Sequence, residues 1–252
     1  MSYSDHSCYI DIAAAYIRGT ALMDTSVQLK NIFDPILLQK PLGLLTEAEK
    51  ITILDVGKRV GLKLDRFKRS YENLARVRRV LGFLHGVMPE SLLDVGSGRG
   101  AFLWSCLNEF PDLKMTANDK DIHRIQLYEA VRHGGIERLN FWHGEFQNFS
   151  KQDKIPHKKQ FDTVTLLEVL EHVQCPLDVI TTALEAARRC IVISVPAKED
   201  GNPEHIHLLT KSKLETIFHN AGLYDNKHYK IQFDGVSGHL FVFITINMPN
   251  TL

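Results

Sequence analysis

From Ser91 onward, short apolar runs alternate with helix-length stretches, the pattern of a parallel sheet covered by helices. Strands are predicted near Ser91–Val95, Lys114–Asn118, Asn140–His143, Phe161–Leu167 and Cys190–Val195. Helices fit between them at Ala101–Phe110, Ile122–His133 and Pro176–Arg188, the last with proline at a first-turn position where its missing N–H costs nothing. Beyond Pro196 a polar loop leads to a helix near Ser212–Asn220 and then to two apolar runs, Tyr229–Phe233 and Leu240–Ile246. The stretch Asp234–Gly238 joins these as an antiparallel hairpin.

Before Glu90 the pattern is helical, with apolar residues at helical spacing in Ile10–Met23, Thr46–Val60 and Arg66–His85. Thr46 followed by Glu49 is a capping-box pattern, and Gly57 and Gly61 are expected to end or interrupt that helix. Pro89 marks the boundary before the next element. The chain is thus expected to divide into a helical region, 1–90, and an α/β domain, 91–252.

Composition narrows the function classes. A chain of 252 residues, 44% hydrophobic and 24% charged with a formal net charge of zero, suits one well-buried domain with an appendage. That total charge gives no bulk attraction to nucleic acid or membrane. No apolar run has membrane-spanning length, and no basic stretch precedes an apolar leader, so a cytoplasmic location without a membrane partner is expected. Cys8, Cys106, Cys175 and Cys190 show no CxxC spacing, which argues against a zinc or iron–sulfur site. Cys175 and Cys190 sit among apolar residues and are expected in the core.

The chemistry begins at Leu92-Leu93-Asp94-Val95-Gly96-Ser97-Gly98-Arg99-Gly100, which follows a predicted strand and opens a predicted helix. Taken alone, a glycine-rich turn is equally a tight strand–helix connection. Its spacing is G-x-G-x-G and not the G-x-G-x-x-G of pyrophosphate-binding dehydrogenases, which disfavours a nicotinamide cofactor. With its acidic residue two places before the first glycine, the stretch resembles the first motif of the class I S-adenosylmethionine-dependent methyltransferases, and the likeness extends from Ser91 to Ile246. The resemblance implies a Rossmann-like seven-stranded sheet with helices on both faces, its last strand antiparallel, plus the N-terminal helical extension on the cap and acceptor side. It implies that Asp94, Gly96 and Gly98 flank the aminoacyl part of S-adenosylmethionine and that Ser97, Gly100 and Glu168 also bind this cofactor. Asp119 matches the family's ribose-binding acid, and Glu145 the acid near the adenine.

At the end of the fourth strand stands Leu167-Glu168-Val169-Leu170-Glu171-His172-Val173, where ligands of open α/β sheets bind. The Asp/Asn-Pro-Pro-Tyr/Phe signature of amide and base N-methyltransferases is absent, and no cysteine supports a covalent pyrimidine mechanism. One helical turn would put Glu168, Glu171 and His172 on one face. Two carboxylates and imidazoles, with His205 and His207 further on, suit a divalent ion such as Mn²⁺ or Mg²⁺. The pattern is similar to the small-RNA 3′-end 2′-O-methyltransferases, which implies metal ligands at Glu168, Glu171, His172 and His205. It is equally similar to the ubiquinone-biosynthesis type of small-molecule O-methyltransferase, which implies a metal-free site with His172 as base, Glu171 orienting it and His205 close by. His207 is expected to stand behind the site.

Lys58, Arg59, Lys63, Arg66, Lys68, Arg69, Arg76, Arg78 and Arg79 face only Asp65 and Glu72 within the same segment. This Lys58–Arg79 cluster is either a solvated helix face or a phosphate-binding surface for RNA. The expected activity is therefore methyl transfer to an oxygen or nitrogen of a small-molecule acceptor. The alternatives are a metal-dependent RNA 3′-end 2′-O-methyltransferase and a noncatalytic S-adenosylmethionine-binding interaction protein.

Overall fold

The computed structural model describes residues 8–24, 30–151, 159–199, 201–225 and 227–247. In chain order the elements are α1 (Ile10–Met23), α2 (Pro35–Gln39), α3 (Glu47–Arg59), α4 (Ala75–Val87), β1 (Ser91–Val95), α5 (Ala101–Glu109), β2 (Lys114–Asp119), α6 (Ile122–His133) and β3 (Leu139–His143). They continue with β4 (Phe161–Leu167), α7 (Pro176–Ala186), β5 (Ala187–Pro196), α8 (Lys211–Asn220), β6 (Tyr229–Val236) and β7 (His239–Ile246). The strands form one seven-stranded sheet in the order β3-β2-β1-β4-β5-β7-β6, in which β7 runs antiparallel to both neighbours. This is the Rossmann-like sheet the resemblance implied. Among the described residues no helix is long and apolar enough to cross a membrane.

Both faces of the sheet are covered, which is why its central strands read as nearly continuous apolar runs. Successive side chains on a strand point to opposite faces. Leu92, Phe241 and Phe243 therefore join one core, with helices α1, α3, α4, α5 and α6. Leu93, Val242 and Ile244 join the other, with α7 and α8.

The N-terminal helices belong to the first of these cores. Helix α1 lies against α6 so closely that a Cβ at Gly19 would overlap the carbonyl of Ala130, and one at Gly134 the carbonyl of Ala15. Buried Arg18 of α1 donates from Nη2 to the carbonyls of Leu38 at 2.9 Å and Lys40 at 2.6 Å, holding the end of α2.

Several sequence expectations are corrected at element ends. Arg66–His85 is not one helix: the backbone is extended at Lys68 and Leu74, with short 3₁₀ turns at Asp65–Phe67 and Arg69–Asn73 before α4. The break has a tertiary cause, since Tyr9 N–H donates to the Phe67 carbonyl and Cys8 bridges Lys68 in antiparallel pairing. The Thr46–Glu49 capping box forms. Gly61 at φ +80° then ends α3, with Leu62 N–H on the Gly57 carbonyl and Gly61 N–H on that of Lys58. Gly57 does not interrupt the helix but meets Ile17 of α1.

Helix α7 stops at Ala186, because Ala187 already pairs with Phe161 in the sheet and Arg188 reaches Asp162 at 2.8 Å. The final hairpin is longer than its apolar runs, turning only at Ser237 and Gly238, both at positive φ. Cys175 is exposed, not in the core, because it caps α7 at the surface, whereas Cys190 is buried in β5.

The α1–α6 contact yields a direct test. Gly19→Val or Gly134→Val should lower stability by about 1–3 kcal/mol through overpacking, while Gly43→Ala, whose Cβ position is open, should change it by less than about 0.5 kcal/mol. Urea unfolding checks this, and equal midpoints for all three would refute the close packing.

Candidate functional site

The parallel register brings the ends of β1, β2 and β4 level, with Val95 opposite Asn118 on one side and Leu166 on the other. The glycine loop leaves β1 here. Gly96 and Gly98 take φ of +63° and +57°, which favours glycine. A Cβ on Gly96 would lie 2.9 Å from Val169, but one on Gly98 would meet only its own loop. Gly100 serves the fold: at φ +82° it caps α5 against the ring of Trp104, and it lines neither cavity described below.

Hydrogen bonds fix the loop from behind. Gly98 N–H donates to Asp119 Oδ2 at 2.9 Å, Tyr128 O–H to the Gly98 carbonyl at 2.8 Å, and Ser97 Oγ to the Asp94 carbonyl at 2.9 Å. Asp119 uses its other oxygen to accept from Asp121 N–H at 2.9 Å. Buried Asn118 donates to the carbonyls of Trp142 and Gly144, tying the end of β2 to β3. Sequence reasoning did not single out Asn118 or Tyr128, which no motif or spacing marks in β2 or α6.

Two cavities meet at Gly96 and Glu168. The larger, about 660 Å³, runs past Gly98, Asp119 and Glu145 to Val169 and His172. The smaller, about 370 Å³, lies between Asp94, Ser97 and Ser194 on the sheet side and Tyr71, Leu74 and Arg76 at the start of α4. Asp94 is buried and accepts from Thr165 Oγ1 at 2.7 Å. Burial outweighs that hydrogen bond and pushes its carboxyl up to about 6. Burial likewise raises the Tyr128 hydroxyl and the Cys106 thiol.

The structure separates Glu168 from the acids and histidines grouped with it in the sequence. Glu168 is not helical: its φ is +58°, Ser194 Oγ donates to its Oε1 at 2.7 Å, and His239 Nε2 lies 3.3 Å from its Oε2. The single helical face expected for Glu168, Glu171 and His172 therefore does not form, and only Leu170–His172 makes a 3₁₀ turn. His239 comes from β7, opposite Pro196. Nothing in the sequence marked it.

Glu171, His172 and His205 do come together, with candidate ligand atoms within 4.8 Å of one another. Glu171 is fully buried, and the rings of His172 and His205 lie 4.7 Å apart, edge to face. The distant loop is stitched onto the 3₁₀ turn by Ile206 N–H on the Glu171 carbonyl at 2.9 Å, His172 Nδ1 on the Glu204 carbonyl at 3.0 Å and His207 Nε2 on the Val173 carbonyl at 3.0 Å. A carbonyl only accepts, so His172 carries its proton on Nδ1 in this contact and presents Nε2 as the free lone pair in its neutral form. His207 is held on the Val173 carbonyl at the end of that turn and is not one of the three grouped residues.

A family model described as a methyltransferase domain matches residues 37–228. Among curated proteins, the tRNA U34 carboxymethyltransferase of Photobacterium profundum is 33% identical over 102 residues, 40% of this chain and 29% of that protein. Its counterpart from Vibrio vulnificus is 32% identical over 102 residues, with the same shares of 40% and 29%. The chain thus spans under a third of the length of the curated relatives it matches.

An O-methyltransferase family protein from Burkholderia thailandensis superimposes with a TM-score of 0.55 at 15% identity, covering 94% of this chain and 72% of that one. The methyltransferase domain of bacterial CtHen1-CN gives 0.54 at 19%, over 69% and 99% of the two chains. A SAM-dependent methyltransferase from Aquifex aeolicus gives 0.54 at 18%, over 71% and 93%. These likenesses establish the fold.

Asp94 makes stability depend on pH in a defined direction. Its carboxyl moves from 3.8 to about 6 on folding, so the native state holds a proton that the unfolded chain has released between those values. The contribution is fully present below pH 3.8 and is lost as pH rises to about 6. Relative to Asp94→Asn, the native protein should therefore lose on the order of 2–3 kcal/mol over that interval. Thermal melts of both proteins from acid to neutral pH measure it; parallel curves would show that the burial cost is absent.

Proposed function

Because the chain belongs to the methyltransferase-domain family, in its class I S-adenosylmethionine-dependent branch, we propose that it transfers the methyl group of S-adenosylmethionine to an oxygen or nitrogen of a small-molecule acceptor. The observation that carries this reading is the pair of cavities that meet at Gly96 and Glu168: the nucleoside part of the donor fits the larger along Gly98, Asp119 and Glu145, its aminoacyl end reaches Asp94 and Ser97 in the smaller, and His172 lines the larger beside Glu168 and Val169. The sulfonium supplies an already activated methyl group. The chain's task is to align donor and acceptor in line and to exclude water.

The backbone of Gly96 and Gly98, with Ser97 and Asp94, holds the aminoacyl end. Asp119 keeps lone pairs for the ribose hydroxyls after accepting its two backbone N–H groups, since each carboxylate oxygen takes two hydrogen bonds. Exposed Glu145 lies at the adenine end of the larger cavity. His172 is the base: Nδ1 is held on the Glu204 carbonyl, so Nε2 takes the acceptor's proton, with buried Glu171 and His205 beside it to orient the ring.

A second reading is favoured by the compactness of Glu171, His172 and His205. A buried carboxylate and two imidazoles, one oriented through its far nitrogen by a carbonyl, fit a divalent ion with mixed nitrogen and oxygen preference, Mn²⁺ more readily than Mg²⁺. Bound there, it would supply Lewis-acid stabilisation of an acceptor oxyanion. Glu168 is outside this group, directed to Ser194 and His239.

The curated relatives are named for tRNA, and a nucleic-acid acceptor would draw on the Lys58–Arg79 cluster. There Arg69 lies 3.5 Å from Glu72, Arg79 pairs with Asp234 at 2.6 Å, and Arg66 covers Tyr16. Those internal contacts favour the small acceptor.

Calorimetry with S-adenosylhomocysteine should give clear binding that Asp119→Ala weakens by about 1–3 kcal/mol. Unchanged affinity would remove the motif assignment. Transfer of a tritiated methyl group into a small-metabolite fraction, and not an RNA fraction, of a cell extract tests the acceptor class, and His172→Ala should slow that transfer by about 10²–10⁴. Chelator should leave the rate unchanged. Loss with chelator, recovery with Mn²⁺ and a stoichiometric metal that disappears in Glu171→Gln would decide for the metal reading.

A further inference from the structure

The glycines that let the loop after β1 turn also leave its peptides free to rotate, because Gly98 and Gly100 carry no Cβ to resist a flip. Two ring donors beneath the loop remove that freedom. Tyr128 of α6 donates its hydroxyl to the Gly98 carbonyl at 2.8 Å, and Trp104 of α5 donates Nε1–H to the Arg99 carbonyl at 3.0 Å. A trans peptide sets its N–H opposite its carbonyl, so the first of these bonds also turns Arg99 N–H away from α6. Among the described residues, that amide is the one of residues 97–100 without a protein acceptor.

Both rings are fully buried, and neither lines either cavity of the site. Their places are set from the N-terminal side. Phe67, also fully buried, stands 5.3 Å from Trp104 and 5.2 Å from Tyr16 of α1, and Trp104 meets Tyr128 edge to face at 5.9 Å. Such ring pairs prefer definite geometries, which simple burial does not require. Phe67 is pinned in turn by Tyr9 N–H on its carbonyl at 2.9 Å and by the bridge of Cys8 to Lys68. Tyr9 O–H reaches Ser105 Oγ at 2.8 Å, next to Trp104 on α5, while Ser105 gives its own proton to the Ala101 carbonyl.

We propose that Tyr128 and Trp104 are positioning residues for the methyl donor: they set two peptides of the glycine loop, and Phe67, pinned by Tyr9, seats them. This rests on the methyl-transfer reading above and extends it to residues outside both cavities. A loop already turned into its bound orientation loses less freedom when the donor arrives, and so binds it more tightly. Tyr128→Phe keeps the ring and deletes one hydroxyl, which restores the flip at Gly98.

Calorimetry with S-adenosylhomocysteine should show Tyr128→Phe binding about three- to tenfold more weakly than the native protein, the worth of one hydrogen bond. Phe67→Leu, which acts from behind Trp104, should weaken binding by about two- to fivefold. A role in stability alone would lower the melting temperature and leave the dissociation constant of the folded protein unchanged. A spectroscopic arm uses Trp142→Phe, which leaves Trp104 as the single indole. S-adenosylhomocysteine should shift its emission, and Phe67→Leu in that background should diminish the shift. Native affinity in both Tyr128→Phe and Phe67→Leu, or a Trp104 emission indifferent to the ligand, overturns the proposal. A native protein that fails to bind S-adenosylhomocysteine at all would instead sink the methyl-transfer reading, and the donor role of the two rings with it.

Discussion

The parallel register of β1 with β2 and β4 is the constraint on which the site depends. Setting Val95 opposite both Asn118 and Leu166 brings the ends of the three strands level, so that Gly96, Asp119 and Glu168 gather at one end of the sheet. Burial of both faces enforces that register, because a slip of one residue would exchange Leu92 and Leu93 between two separate cores. The loops at this edge are then placed by the sheet and need only local locks, of which the Gly98–Asp119 hydrogen bond is the clearest.

Local preferences are violated where the two cavities join. Asp94 is ionisable and buried, and Glu168 is a non-glycine residue in the left-handed region, a conformation that costs about 1–3 kcal/mol. Ser194 and His239 hold the Glu168 side chain, and the Ser194 carbonyl accepts its backbone N–H at 3.0 Å. Strain overdetermined by its surroundings in this way marks a functional position more often than a defect in folding.

The N-terminal segment contributes to the site through the same core that stabilises the sheet. Helix α1 sits on α6 through two glycines, and α4 is anchored by Arg79 on Asp234 and by Phe83 against Phe243. The start of α4 is thereby held over the glycine loop, and Tyr71, Leu74 and Arg76 become a wall of the smaller cavity.

What neighbouring residues decide was legible without coordinates: the alternation of strands and helices, the glycine loop after β1, the acid at the end of β2, and the hairpin that closes the sheet. Periodicity and turn chemistry are local, so the order of residues carries them. What distant segments do to each other emerged only on folding. The helical reading of Arg66–His85 failed because Cys8 and Tyr9 pair with the Lys68 region. Glu168 left the expected group because Ser194 and His239 capture it from other strands, and the contact that brings the already grouped His205 to His172 is made by hydrogen bonds that dock its loop from 32 residues away. Each of these is a contact between residues far apart in sequence, where spacing carries no information and packing makes the choice.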